Sequence, residues 1–322
     1  MIISKTPYRI SFFGGGTDYP SWYLKHGGAV LSATINKYCY ITCRKLSPFY
    51  KGDFRVVYSR VEDCATIEDI KHPVVHAVLK YLNIKDRLEI QHNGNLPARS
   101  GLGSSSAFTV GLLNALSDPK WPDYKLAAEA IHIEQDILKE VVGSQDQIAA
   151  AYGGFNHISF NSKEFVVSPL NISQARLSEL NNYLMLVHTG VTRIAADVAS
   201  SYVESFRDKE RVMHEFVKQG IAILQGTQNI EEFGVLLNDA WMHKRLWSDK
   251  VTTSNIDAIY AVARREGAIG GKLLGAGGGG FMLLFVPPEK QVNIREKLSS
   301  LIHVPFNFSF EGSTIIYQDG YN

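Results

Sequence analysis

The stretch that most constrains this chain is Pro97-Ala98-Arg99-Ser100-Gly101-Leu102-Gly103-Ser104-Ser105-Ser106-Ala107. It lies between a predicted strand, Leu88 to His92, and a predicted helix, Ser104 to Leu116. In the helix, small hydroxyl residues give way to Ala107, Val110, Leu112, Leu113 and Leu116 before Ser117-Asp118-Pro119 closes the segment. Glycines let backbone pass close to a ligand, and the first N–H groups of a helix have no partner inside it. With the positive end of the helix dipole behind them, they suit a phosphate, and hydroxyls in the first turn add donors or reach a metal. The turn therefore reads as an anion site suited to a nucleotide, the alternative being a tight, well-capped connection.

Two familiar phosphate loops do not fit it. The Gly-Lys-Ser/Thr pattern needs a lysine at a position where this turn has none. The dinucleotide fingerprint needs a third glycine where Ser106 stands, and an acidic residue about 20 positions on.

At 322 residues the chain can form one large domain or two ordinary ones with an extensive core. Its 33 lysines and arginines against 32 acidic residues create no global field, so neither nucleic acid nor an anionic membrane is expected as a partner. Met1-Ile2-Ile3-Ser4-Lys5 runs straight into a predicted strand without a signal peptide, and Phe281 to Val286 is far too short to span a bilayer. Cys39, Cys43 and Cys64 form no metal-type cluster, and their odd number argues against a disulfide framework. A soluble, reduced, cytoplasmic protein is expected.

Strand patterns fall at Tyr8 to Phe13, Ala29 to Cys43 and Phe155 to Val167, and helices are predicted over Ser104 to Leu116 and Tyr124 to Val142. Composition turns polar from Ile172 to Glu179, which puts a boundary there and divides the chain into residues 1–172 and 173–322. The second part reads as a strand (Tyr183 to His188), helical stretches through 195–267, a glycine run (Gly275 to Gly280), and strands at Phe281 to Val286 and Ser313 to Tyr317. Strand runs and helix runs are partly segregated, so the expected class is α+β in two lobes.

Three further segments carry candidate chemistry. In the helix predicted over Tyr124 to Val142, Ala127, Ala130, Ile131, Leu138 and Val141 share a face, and Glu134 lies in that stripe. A glutamate on an apolar face is costly unless it is paired or binds a metal. Twelve residues later, Gly143-Ser144-Gln145-Asp146-Gln147 opens another helix, where Asp146 is either a cap or a base. Near the N-terminus, Arg9 precedes Gly14-Gly15-Gly16-Thr17-Asp18, a hairpin-like turn in which Thr17 and Asp18 offer hydroxyl-binding groups. Gly270 to Gly280 lies between a predicted helix and an apolar strand, which suits a constrained turn against another backbone better than a flexible linker.

The N-terminal Pro7-Tyr8-Arg9 run, the Pro97 to Ser105 loop and the C-terminal glycine-rich turn, in that order, resemble the motifs of the GHMP kinases, the family of galactokinase, homoserine kinase and mevalonate kinase. The motifs span residues 5 to 280. Within the family, Arg9-Ile10-Ser11-Phe12 followed by Gly14 to Asp18 resembles the bacterial D-glycero-D-manno-heptose 7-phosphate kinases, since galactokinase-like members usually carry Gly-Glu-His in place of the glycine triplet. The resemblance implies a two-lobed fold, an N-terminal mixed lobe carrying the phosphate loop and a ferredoxin-like C-terminal lobe. It implies ATP bound by Pro97, Ser100, Gly101, Leu102, Gly103, Ser104, Ser105 and Ser106, and magnesium held by Ser105 and Glu134. Asp146 matches the catalytic aspartate, and Arg9 the cation that faces it. Gly15, Gly16, Thr17, Asp18 and Gly277 would contact the sugar.

These roles suit the chemistry, because phosphoryl transfer needs mostly positioning and charge stabilisation, and magnesium accepts one or two protein oxygens. The implied acceptor is a small-molecule sugar phosphate, a heptose 7-phosphate taken to the 1,7-bisphosphate for surface polysaccharide. Its phosphate would be met by Arg193, Lys244 or Lys272, each of which is equally readable as a solvated surface charge. Another sugar kinase of the family (fucose or N-acetylhexosamine type), a non-catalytic nucleotide- and sugar-binding sensor and a homodimeric assembly stay open.

Overall fold

Two long strands organise the first lobe of the computed structural model, which describes residues 1–98, 100–191, 198–202 and 209–319. Strand β1 (Ile2–Phe13) leads through a glycine turn and helix α1 (Pro20–His26) into the antiparallel β2 (Gly28–Lys45). There follow β3 (Phe54–Val57), β4 (Val61–Cys64), α2 (Pro73–Tyr81), β5 (Leu88–Gly94), α3 (Ser104–Leu116), α4 (Asp123–Ile131), α5 (Gln145–Tyr152), β6 (Phe155–Phe160) and β7 (Phe165–Pro169). Strand β2 is long enough for two partners on one edge, β6 along Gly28–Ala33 and β5 along Cys39–Lys45. Its burial follows that division: Gly28 to Ile35 are all buried, whereas only Cys39, Ile41 and Cys43 are buried beyond them. The first half is covered on both faces and carries apolar or small residues throughout, Ser32 and Thr34 among them, and the second half alternates because one face is open.

The second lobe contains α6 (Gln174–Tyr183), β8 (Leu184–His188), α7 (Lys209–Gln225), α8 (Glu231–Arg245), α9 (Ser254–Arg265), β9 (Gly270–Leu273), β10 (Phe281–Phe285), α10 (Gln291–Lys297) and β11 (Ile302–Val304). Its antiparallel sheet has the order β11-β8-β10-β9, the ferredoxin-like arrangement that the family resemblance implied. Alternate residues of β10 serve two cores. Phe281, Leu283 and Phe285 join the main core with Leu184 and Leu186, and Met282 and Leu284 pack with Val187 and Trp241 on the other side.

Two expectations are corrected. The helix predicted to reach Val142 ends as α-helix at Ile131 and continues as a π-helical turn, His132–Ile137, in which the Leu138 N–H donates to the Ile133 carbonyl. Ile133 and Glu134 are turned inward while Val141 is exposed, because a chain that has left helical geometry no longer keeps its stripe. The last strand, β12 (Thr314–Gln318), does not belong to the second lobe. It returns to pair with Ile2 to Lys5 of β1, satisfying an edge of the first sheet. Among the described residues no helix is long and apolar enough to cross a membrane.

Candidate active site

Strand β12 covers the edge of β1 only as far as Lys5, and Pro7, which has no N–H to donate, sits just past that point at a register shift. Beyond it the Arg9 N–H donates to the Leu102 carbonyl at 3.1 Å, so the glycine-serine loop docks on the freed edge. On its other side the Phe281 N–H at the start of β10 donates to the Ser100 carbonyl at 3.1 Å. The loop is thereby strung between the two lobes. Gly101 has φ +81°, and a Cβ there would overlap the Leu274 carbonyl oxygen. Gly103, at φ +73°, is the N-cap of α3 and offers no capping side chain, so the helix end faces outward uncapped. Ser100 and Leu102 are buried, and Pro97 and Ser105 are exposed.

A Cβ on Gly103 would stand 3.3 Å from Arg9 Cγ and 3.5 Å from Asp146 Oδ2, so the loop lies directly on an ion pair. Arg9 donates from Nε to Asp146 Oδ1 and from Nη2 to Oδ2, both at 2.8 Å, and from Nη1 to the Gly101 carbonyl at 2.7 Å. This bidentate fork fixes the carboxylate in one orientation. The Arg9 side chain is 5% exposed and that of Asp146 25%, so the cation is sealed in and the carboxylate is reachable. Asp146 also sits in the first turn of α5, where the helix dipole favours an anion.

Glu134 is fully buried one layer behind the loop. Its carboxylate accepts from Ser106 Oγ at 2.9 Å, Thr109 Oγ1 at 2.6 Å and Gln147 Nε2 at 2.5 Å, with no cation among its described contacts. The hydroxyl beside it is that of Ser106, not the exposed Ser105, because a step of one residue rotates about 100° around a helix. Thr109, three residues on, lies on the same face, a periodicity visible in the sequence. Gln147 could have been found only as a neighbour of Asp146.

Burial pushes the Glu134 carboxyl up from 4.5 to about 7, against the pull of its three donors. A carboxyl raised on folding stabilises the protein fully below its unfolded pKa and loses that contribution as pH rises through the folded one. Metal-free protein should therefore lose on the order of 2–3 kcal/mol between pH 4.5 and about 7 relative to Glu134→Gln. Thermal melts across that range check it, and a pH-independent difference between the two proteins refutes it.

The N-terminal glycine turn is more structural than expected. Thr17 is buried, its hydroxyl donating toward the Gly14 and Ala29 carbonyls and accepting from the Ala29 N–H. Asp18 accepts from the Gly16 N–H at 2.8 Å and from Gln145 Nε2 at 2.9 Å, tying this turn to the start of α5. Burial and the nearby Asp146 raise its pKa. Gly15 lies beside Ser11 and Gln145, and a Cβ on Gly277 would meet the Val251 backbone.

The second-lobe cations part ways. Lys272 is buried and donates to the Ser11 and Phe12 carbonyls at 2.9 and 2.7 Å, which corrects its reading as a solvated surface charge: it pins β9 to the end of β1. Lys244, on α8, is buried too and donates to the Gly275 carbonyl. Arg193 lies outside the described residues.

An open helix end, a backbone loop and a fixed carboxylate beside them make an architecture for moving a phosphoryl group to a small acceptor. The family model for the GHMP kinases N terminal domain matches residues 70–154, and that for the GHMP kinases C terminal domain matches residues 216–303. The D-glycero-alpha-D-manno-heptose 7-phosphate kinase of Campylobacter jejuni is 32% identical, with 96% of each chain covered. A bifunctional fucokinase/GDP-fucose pyrophosphorylase of Arabidopsis thaliana is 26% identical over 94% of this chain and 31% of its own length. The crystal structure of a D-glycero-D-manno-heptose 1-phosphate kinase from Bacteroides thetaiotaomicron superposes with a TM-score of 0.80 at 24% identity, covering 99% of this chain and 100% of that one. The chain belongs to the GHMP kinase family, as an ATP-using phosphotransferase that acts on a sugar hydroxyl.

Proposed function

We propose that the protein transfers the terminal phosphoryl group of ATP to the anomeric hydroxyl of D-glycero-D-manno-heptose 7-phosphate, giving the 1,7-bisphosphate, in the cytoplasm and for surface polysaccharide. The observation that carries this reading is the Arg9–Asp146 fork held against Gly103 of the phosphate loop. The choice of sugar is supported by the Campylobacter jejuni relative. ATP phosphates would lie along Ser100 to Ser106 at the open end of α3, with residues 1–172 as the nucleotide lobe. Asp146 would orient the attacking hydroxyl and take its proton, the carboxylate being fixed by Arg9 and open to the cleft.

Magnesium fits the chemistry of the second carboxylate. Glu134 and the hydroxyls of Ser106 and Thr109 form an all-oxygen set beside the loop, and a buried carboxylate with no cation among its described contacts favours one. Bound there, magnesium would neutralise developing phosphate charge. Glu134→Gln should accordingly raise the magnesium concentration needed for half-maximal turnover by about tenfold, with partial rescue at high magnesium. An unchanged requirement in a folded variant removes Glu134 from the metal site.

The substrate reading is tested by turnover with ATP and a panel comprising the heptose 7-phosphate, the unphosphorylated heptose, fucose, galactose and an N-acetylhexosamine. Losing a charged contact at the acceptor should lower kcat/KM for the unphosphorylated heptose by about 100-fold or more. Phosphorus NMR should place the new phosphate on the anomeric carbon. Equal turnover of the two heptoses would make the enzyme a kinase for a simple sugar.

A further inference from the structure

Three cations converge where the lobes meet, and their partners differ: Arg9 already has a carboxylate, whereas the two lysines donate only to carbonyls among their described contacts. Arg9 spends Nε and Nη2 on Asp146 and Nη1 on the Gly101 carbonyl. Lys272 gives two of its three donors to carbonyls of β1, whose end it thereby anchors. Lys244 has one acceptor among its described contacts, the Gly275 carbonyl, and the face of Trp247 lies 5.9 Å away. An ammonium carries three donors, so two remain beyond its described contacts on a residue that is 6% exposed. Burial pushes its pKa down to about 8, Arg9 adding to the fall and Asp18 opposing it, so the group still carries its charge at neutral pH. A buried cation with unspent donors is costly unless an anion comes to it.

The position of Lys244 indicates which anion. Gly275 packs directly on the phosphate loop, a Cβ there falling 2.6 Å from Gly101 Cα, and the Gly101 carbonyl in turn accepts from Arg9. The ammonium is therefore one carbonyl away from the loop and on the opposite lobe from Asp146. The acceptor's own phosphate would lie at the far end of the sugar from the oxygen that Asp146 addresses. We propose that Lys244 is a second catalytic cation, delivered by α8, that contacts the transferring phosphoryl group of ATP rather than the phosphate already on the sugar.

In the step it serves, the bond from phosphorus to the β,γ-bridging oxygen breaks and its electron pair leaves on ADP. The sugar oxygen bonds to phosphorus and its proton passes to Asp146. Lys244 keeps its protons and offsets the charge that builds on the phosphoryl oxygens, complementing the backbone donors of a loop whose pattern lacks the usual lysine. The proposal rests on the kinase assignment and is independent of which sugar is the acceptor.

The test is Lys244→Met, read in two ways. By calorimetry, affinity for a non-hydrolysable ATP analogue should fall about tenfold or more while affinity for ADP stays within about threefold, because only the analogue has the terminal phosphoryl group. In steady state, kcat should fall about 100-fold or more with little change in the sugar KM. Equal losses for both nucleotides, an effect confined to the sugar KM, or a lower melting temperature with kcat intact would each overturn the proposal. Should Lys244→Met fail to fold, Lys244→Gln keeps a donor for the Gly275 carbonyl and must give the same separation between the two nucleotides.

Discussion

Asp146→Asn is expected to lower turnover by about 100-fold or more while ATP affinity stays near that of the wild type. The carboxylate takes two charged hydrogen bonds from Arg9, and its remaining lone pairs face a partly open site. An amide accepts on one side only and presents a donor to a donor on the other, so the variant loses both its proton acceptor and its locked orientation. Leaving the buried guanidinium half-paired should also cost on the order of 1–3 kcal/mol of stability. A melt measured alongside the kinetics separates that loss from the catalytic one, with turnover compared only for folded protein. Turnover within about threefold of the wild type would remove Asp146 from the reaction.

Gly101→Ala should damage folding and nucleotide binding together. Its φ of +81° costs an L-residue about 1–2 kcal/mol. The added methyl would also meet the Leu274 carbonyl, which belongs to the other lobe and cannot move without disturbing the glycine run behind it. We expect the melting temperature to fall by about 10 °C or more and ATP affinity by at least about tenfold, since the loop must lift off β10 to make room. Gly15→Ala is the matched control. Its Cβ would meet nothing nearer than 3.6 Å and its φ is not left-handed, so its melting temperature should change little. If the two variants melt alike, the loop is not held by the close packing of the lobes.

Much of this is legible in the sequence. The phosphate loop announces itself because glycine, a helix start and a preceding strand are local facts, settled within a few residues by sterics and orphan N–H groups. The helix Ser104–Leu116 was predicted with the bounds it has, and the β-branched and aromatic text of β2 and the apolar run of β10 marked both as strands. Arg9, Glu134 and Asp146 stood out as charged residues in apolar or turn contexts, and the fold sets the Arg9–Asp146 pair against Gly103 and Glu134 against Ser106. What escaped depends on which donor meets which acceptor far along the chain. Thr17 is consumed by backbone groups of the turn and of β2, and Lys272 by carbonyls 260 and 261 residues away. Ser106 rather than Ser105 faces Glu134 because α3 is rotated by its packing on β1 and β2. The return of β12 to β1 reflects an edge that exists only once the sheet has formed. Period, φ sign and helix ends are written in short windows of sequence, whereas the partner of a buried polar atom is chosen by the whole packed fold, because burial makes every unpaired group costly and leaves one arrangement that satisfies them together.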